Sequence, residues 1–236
     1  MMSRVRVALG VFLAALFLAG CTSSETFRYR MIVEVETPQG LRTGSSVREV
    51  EVWERMDDAI IGNKVGGKVR GEAVAVDLPN GKTLYMLLGD ARWLAHQAIK
   101  TPPPGNGHHH WGVKRARWMR DNKAKGELPR ERYPMLVTFG DESDPTSVAR
   151  VDPDDLGATF GEGVELKRIT VEMTDDAVTT DIEERLGWFR NVANSGGGLI
   201  PMVKNSSGRW EAAPGYDESL VEIGLSAFST EAYNSP

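Results

Sequence analysis

Residues 27–36 alternate between apolar and polar side chains, with one exception at Ile32. Every second position is large and apolar, which gives one continuous face: Phe27, Tyr29, Met31, Val33 and Val35. This period of two predicts a half-buried β-strand. After a break at Pro38-Gln39-Gly40, the valine-rich stretch Ser45–Trp53 predicts its antiparallel partner.

A second strand pair is predicted immediately afterwards. Residues 72–78 and 82–88 flank Pro79-Asn80-Gly81, where Asn and Gly tolerate the positive φ of a tight turn. Both segments are apolar on both faces, so we expect this hairpin to be central in a sheet.

Helical spacing replaces the strand period after Asp90, with small or apolar residues at Ala91, Leu94, Ala95 and Ala98. Thr180 and Glu183 have the spacing of a capping box and predict another short helix. Three further strands are predicted at residues 135–139, 148–151 and 164–173, the last with a bulge. These elements predict an α+β fold: a β-rich, mainly antiparallel sheet with two or three short peripheral helices.

The organisation predicted from these elements is a single β-rich domain over residues 27–190. Residues 101–132 differ in composition, carry a net charge of +5 and are predicted to be a basic insertion. From residue 191 onward Gly, Ser, Asn and Pro are frequent. We therefore expect residues 191–236 to form a loosely ordered C-terminal extension.

The N-terminus has the layout of a secretory signal peptide: Arg4 and Arg6, then an apolar run over residues 7–19. This run is too short to span a bilayer. Leu18-Ala19-Gly20-Cys21 closes it and resembles the lipobox of bacterial lipoproteins. That resemblance implies removal of residues 1–20, a lipid on the Cys21 sulfur and acylation, for example with palmitate, of its freed amine. The alternatives are an uncleaved anchor and an ordinary secreted protein.

Residues 21–26 separate this cysteine from the first predicted strand. Five polar residues after Cys21 reach about 17 Å when extended, so they predict a short tether that holds the domain close to the membrane. Thr22 stands where an Asp would signal inner-membrane retention. By resemblance to Gram-negative sorting, it implies the periplasmic face of the outer membrane.

Charge and cysteine content exclude several functions. The chain of 236 residues has a net charge of −5, which becomes −7 when Arg4 and Arg6 leave with the signal peptide. A moderately acidic protein is not expected to bind nucleic acid. Cys21 is the only cysteine, and its lipidation would leave no thiol for a disulfide, a metal site or a nucleophile.

The basic segment is the strongest candidate binding site. If residues 111–122 are helical, Trp111 and Trp118 share a face with cations between them. We expect contact with an anionic surface, such as lipid headgroups or lipopolysaccharide phosphate, through Lys114, Arg115, Arg117, Trp118 and Arg120. The alternative is a solvated helix whose tryptophans pack on the sheet.

The remaining polar clusters favour structural roles. Adjacent imidazoles at His108-His109-His110 point in different directions and rarely ligate one metal, so no metal or cofactor is predicted. The acid-rich stretches 141–145 and 152–155 resemble proline-fixed turns more than calcium loops. No nucleophile elbow or phosphate loop is present. A pair of carboxylates brought together by folding remains open.

The strings Asp144-Pro145-Thr146-Ser147-Val148 and Ile182-Glu183-Glu184-Arg185-Leu186-Gly187-Trp188 resemble a group of proteobacterial proteins of unknown function. The resemblance covers roughly residues 27–190 and implies one domain type, but no activity. We therefore expect a lipid-anchored envelope protein that acts as a non-enzymatic binding or interaction module, with an anionic lipid, lipopolysaccharide or an envelope protein as its partner. The alternative is a carboxylate-based envelope hydrolase, and an exclusion factor at the envelope also stays open.

Overall fold

A computed structural model describes residues 22–55, 64–102, 111–195, 198–221 and 223–232. It confirms the α+β, β-rich antiparallel fold, and three of its five described α-helices have seven or more residues. Cys21 with its lipobox and the His108–His110 cluster lie outside the described residues. Within the ranges given, no helix is long and apolar enough to cross a membrane.

The larger sheet has five antiparallel strands in the order β3-β2-β1-β9-β6. Their bounds are β1 (Thr22–Glu36), β2 (Arg42–Arg55), β3 (Lys64–Arg70), β6 (Lys125–Glu127) and β9 (Glu165–Met173). The predicted apolar face of β1 is buried throughout. The pairing of β1 with β9 shifts register between Glu34 and Val35, which confirms the predicted bulge.

The second sheet has four antiparallel strands in the order β4-β5-β7-β8. Their bounds are β4 (Val74–Asp77), β5 (Thr83–Met86), β7 (Leu136–Phe139) and β8 (Val148–Val151). The predicted β4–β5 hairpin is confirmed and is apolar on both faces, although β4 lies at the sheet edge. Gly44 in β2 allows the sheets to touch here, because a Cβ on it would lie 2.0 Å from the Ala75 carbonyl oxygen.

The main core lies between the inner face of the larger sheet and the elements packed against it. Helices α1 (Ala91–Ala98) and α2 (Trp111–Asp121) cover the half of that face nearest Thr22. The smaller sheet covers the other half, together with α3 (Leu156–Phe160). The segment predicted as a basic insertion is therefore part of the domain, since it supplies α2 and the edge strand β6.

The residues predicted to form a loosely ordered C-terminal extension pack on the outer face of the smaller sheet. After α4 (Ile182–Arg185) and α5 (Phe189–Ser195), the chain forms a small hairpin of β10 (Met202–Lys204) and β11 (Trp210–Ala212). A second apolar cluster joins strands β5, β7 and β8 to seven C-terminal side chains: Leu199, Ile200, Leu220, Ile223, Leu225, Phe228 and Ala232. This face of the smaller sheet is apolar, and the C-terminal residues shield it from water.

Within the described residues, the segment predicted as a tether belongs to a strand, because β1 begins at Thr22. Residues 22–26 pair with residues 55–51 of β2. Pairing with β2 holds this polar stretch extended, and the side chain of Glu25 is buried under α2. An anchor at Cys21 would therefore lead directly into the central strand of the larger sheet.

A buried cation connects the two sheets. Arg48 in β2 is completely buried and donates hydrogen bonds to the carbonyl oxygens of Glu72 and Leu88, at 3.2 and 3.1 Å. The Tyr29 hydroxyl, which faces Arg48, donates to the Ala91 carbonyl oxygen at 2.5 Å. Burial lowers the pKa of Arg48 and raises the pKa of Tyr29.

We predict that Phe228→Ala lowers the free energy of unfolding by about 3–5 kcal/mol, because it removes a fully buried ring from the second cluster. Urea unfolding of residues 21–236 measures this. Tyr216→Ala is the matched control: its ring is exposed, and we expect a change within about 0.5 kcal/mol. Equal effects of both substitutions would contradict the packed C-terminal cover.

Candidate functional site

Helix α2 carries the five residues that the sequence singled out, and the structure separates them by role. Lys114 and Arg117 are exposed, whereas Trp118 is partly buried and packs against the main core. Arg115 extends toward the C-terminal end of α1. The segment predicted to be helical is confirmed, but its basic side chains do not form one free patch.

Arg115 is a structural residue. Its guanidinium donates hydrogen bonds to the carbonyl oxygens of His96 and Ile99, the second at 2.9 Å. These carbonyls lie at the C-terminal end of α1, where a cation is favoured by the helix dipole. Burial lowers the pKa of Arg115. This side chain is therefore committed to joining α1 and α2.

A buried carboxylate holds the two other arginines. Glu25 in β1 accepts from Arg117 Nε at 3.0 Å and from an Nη atom of Arg120. The Glu25 side chain is only 7 % exposed, while those of Arg117 and Arg120 are 56 % and 42 % exposed. Arg120 also contacts Asp121 at 2.8 Å. The outer faces of both guanidinium groups can therefore still meet an anion.

A second carboxylate binds the N-terminal end of α2. Glu54 in β2 is buried, and its Oε1 accepts from the backbone N–H of Gly112 at 2.6 Å. The unsatisfied N–H groups of a helix N-terminus favour such a negative charge. Ser23 of β1 pairs with Glu54, so both acids lie at the Thr22 end of the sheet. The cationic helix is thus fixed beside the first residues of β1.

Glu25 and Glu54 were missed by the sequence analysis, although the alternation pattern contained them. Glu25 stands two positions before Phe27, and Glu54 stands two positions after Val52. Each therefore lies on the buried face of its strand. Extending the period of two into the polar residues would have placed both acids inside, opposite a basic helix.

His96 in α1 is a buried titratable group. Its side chain lies between the rings of Phe27 and Trp93, with centroids at 6.0 and 5.4 Å. Neither imidazole nitrogen has a hydrogen-bond partner among the described residues. Burial, aided by the charge of Arg115, lowers the pKa of His96 to about 4. The neutral imidazole is therefore part of the core.

Another polar cluster lies where α4 meets the smaller sheet. Arg185 donates to the Tyr85 hydroxyl at 3.0 Å and to Asp77, and the Tyr85 hydroxyl donates to Glu142 at 2.7 Å. The hydrogen bond from Arg185 lowers the pKa of Asp77, and burial raises that of Tyr85. Trp188 Nε1 donates to the Glu142 carbonyl oxygen at 2.8 Å. This cluster fastens α4 to the sheet.

The acid-rich turns behave as the turn interpretation predicted. Asp141, Asp144 and Asp152 each accept from the backbone N–H two residues later, at 2.8 to 2.9 Å. Asp155 accepts from Ala158 N at 3.0 Å and caps α3. In the ranges that the structure covers, no group of three or more metal-ligating side chains could hold a metal ion.

A surface cavity with a volume of about 560 Å³ lies beside the start of β9. Its acidic side chains are Asp154, Asp155, Glu162 and Glu165. Asp154 is paired with Arg130, and Asp155 caps α3. Two of these four carboxylates are therefore already bound within the fold.

Comparison with known proteins gave no match to any family model, to any curated protein or to any solved structure.

We predict that acid destabilises the protein through His96. Below pH 6.5 the unfolded chain binds a proton there that the folded chain accepts only near pH 4. The free energy of unfolding should therefore fall by about 3 kcal/mol between pH 6.5 and pH 4. Urea unfolding of the wild type and of His96→Leu over this range measures the difference, because all other titrating groups are shared. Parallel curves for the two proteins would contradict the prediction.

Proposed function

We propose that the chain is a lipid-anchored protein of the bacterial envelope that binds anionic headgroups next to its anchor, through α2. The observation that carries the proposal is the double ion pair of Glu25 with Arg117 and Arg120. Glu25 stands four residues after Cys21. The candidate contact surface is thereby fastened close to the proposed point of lipid attachment.

The geometry of β1 supports this arrangement. A strand rises about 3.3 Å per residue, so Glu25 lies about 13 Å from Cys21 if the strand direction continues. With β1 beginning at Thr22, a lipid on Cys21 would bring the Thr22 end of the larger sheet to the bilayer. Helix α2 lies at that end, where Gly112 contacts Glu54.

The local charge also supports the proposal. Helix α2 has four cations, and with Glu25, Glu54 and Asp121 as the acids that the helix contains or engages, one positive charge remains in excess. Arg115 is bound to carbonyl oxygens, so the contact surface consists of Lys114, Arg117 and Arg120, with the exposed part of Trp118 beside them. A basic residue near an anionic membrane surface contributes about 1 kcal/mol, within a Debye length of about 8 Å at physiological salt. The lipid would supply the anchor, and α2 would set the orientation.

The proposed lipidation predicts the mass of the processed protein. Protein isolated from bacterial membranes should begin at Cys21 and carry a diacylglyceryl group with a third acyl chain, because the lipobox resemblance implies both modifications. Intact-mass spectrometry measures this, and Cys21→Ser is the control that should yield no acylated species. A membrane-derived protein that keeps an unmodified Cys21 would contradict the anchor. Fractionation into the outer membrane tests the proposed location.

The headgroup contact is tested without the anchor, using residues 21–236 with Cys21→Ser. Lys114→Glu changes two charge units at an exposed position, so binding to vesicles that contain phosphatidylglycerol should weaken by about 2 kcal/mol, or roughly 30-fold. Glu25→Gln should instead strengthen binding, because it removes the acid that occupies Arg117 and Arg120. Co-sedimentation with the vesicles measures both.

Lys82→Glu is the matched control for this experiment. Lys82 is exposed in the β4–β5 turn, on the part of the fold remote from Thr22. Lys82→Glu makes the same change in net charge as Lys114→Glu, and it should leave binding to the vesicles nearly unchanged. Equal losses for the two variants, or binding to phosphatidylcholine vesicles as strong as to anionic ones, would contradict a contact through α2.

A further inference from the structure

A tryptophan lies on the outer face of the larger sheet, at the end nearest Cys21. Trp53 in β2 is opposite Ser24 of β1 on one side and Gly66 of β3 on the other. Its neighbour Val52 is buried in the main core, so the alternation of the strand places Trp53 on the outer face. The indole is partly exposed in this position.

The indole of Trp53 covers Gly66. A Cβ on this glycine would lie 2.7 Å from Trp53 Cζ2, so a larger residue there would displace the ring. Among the described residues, Trp53 Nε1 has no hydrogen-bond partner. A tryptophan N–H that is taken out of water usually finds an acceptor. The ring therefore packs on the chain on one side, while its N–H is open to an acceptor outside the chain.

Strand pairing gives the position of Trp53 relative to the proposed anchor. Ser24 stands three residues after Cys21, so Trp53 lies about 10 Å along β1 from Cys21 if the strand direction continues. The interfacial layer of a bilayer is about 5–8 Å deep on each side. A tilt of β1 by about 45° in the plane of the sheet, toward β2 and β3, lowers the height of Trp53 to about 7 Å.

Such a tilt is compatible with the contact through α2. The helix packs on both β1 and β2, so leaning the sheet toward β2 does not lift the helix from the membrane surface. Helix α2 covers the inner face of the larger sheet, whereas Trp53 lies on the outer face. Contacts on the two faces would hold the sheet in one orientation.

We infer that Trp53 places its indole in the headgroup layer of the bilayer that holds Cys21. Tryptophan prefers this layer, because its ring is apolar while its N–H can donate to a phosphate or ester oxygen. The inference deepens the proposed function and rests on the proposed anchor. Exposure alone does not select Trp53, since Trp210 is 58 % exposed but belongs to the C-terminal layer on the smaller sheet. Proximity to residue 21 does.

The test imposes the anchor chemically. Cys21 is the only cysteine, so the thiol of residues 21–236 can be coupled to a maleimide lipid in phosphatidylcholine vesicles. Acyl chains brominated near the headgroup quench an indole that reaches them. Tryptophan fluorescence should be lower in the brominated vesicles than in unbrominated ones. Trp53→Phe should remove at least half of this difference.

Trp210→Phe is the matched control, because it removes a more exposed indole from a different layer. It should leave the fluorescence difference between the two kinds of vesicle unchanged. Thermal unfolding of Trp53→Phe like that of the wild type establishes that the fold is kept. No quenching of the wild type, or equal quenching of the wild type and Trp53→Phe, overturns the inference.

This experiment separates the inference from the headgroup contact through α2. Phosphatidylcholine has no net charge, so Lys114→Glu should leave the quenching unchanged in these vesicles. A failure of the headgroup contact would appear in the co-sedimentation of Lys114→Glu, and a failure of natural lipidation would appear in the intact mass. The effect of Trp53→Phe reports on the indole alone.

Discussion

The relative position of the two sheets depends on the buried guanidinium of Arg48. A cation without water is costly unless its N–H groups are bonded, so Arg48 requires the carbonyl oxygens of Glu72 and Leu88 nearby. Glu72 lies just before β4 and Leu88 lies just after β5, where the chain continues into α1. Arg48 therefore selects one position of the hairpin under β2, with Tyr29 bonded to Ala91 beside it. Apolar contacts alone would tolerate several positions.

The same junction fixes the C-terminal layer. The Glu72 carboxylate accepts from the backbone N–H of Ile182 at 2.8 Å, so it caps α4 from a distant part of the chain. Backbone bridges continue from there: Glu72 pairs with Ser229, and Leu88 N–H donates to the Ala227 carbonyl oxygen at 2.8 Å. Segments far apart in sequence thus meet around one short stretch. The layer is held at its edges by polar bonds and at its centre by apolar packing.

Local patterns predicted most of the strands, because the alternation of apolar and polar residues within each strand is visible in its own sequence. The inward face of β1, the β4–β5 hairpin, α1 and the bulge opposite Glu34 were all predicted in this way. Helix α2 was predicted, but the roles of its arginines were not. Arg115 bonds to α1, and Arg117 and Arg120 bond to Glu25 in β1, and such contacts between elements are not visible in a local pattern. Capping of α4 by Glu72 replaced the predicted Thr180 box for the same reason. The C-terminal apolar residues show no regular period, because turns separate them. Their packing becomes evident only from the apolar outer face of the smaller sheet that they cover.

The start of β1 at Thr22 also has a mechanical consequence. β1 is hydrogen-bonded to β2 over residues 22–35 and to β9 over residues 29–36, and both pairings are antiparallel. A pull on Cys21 along the strand axis would load these backbone bonds together, in shear, instead of opening them one after another. If Cys21 carries the proposed anchor, a load on it would therefore fall on the most extensively paired strand in the larger sheet, and the domain would resist extraction as a unit.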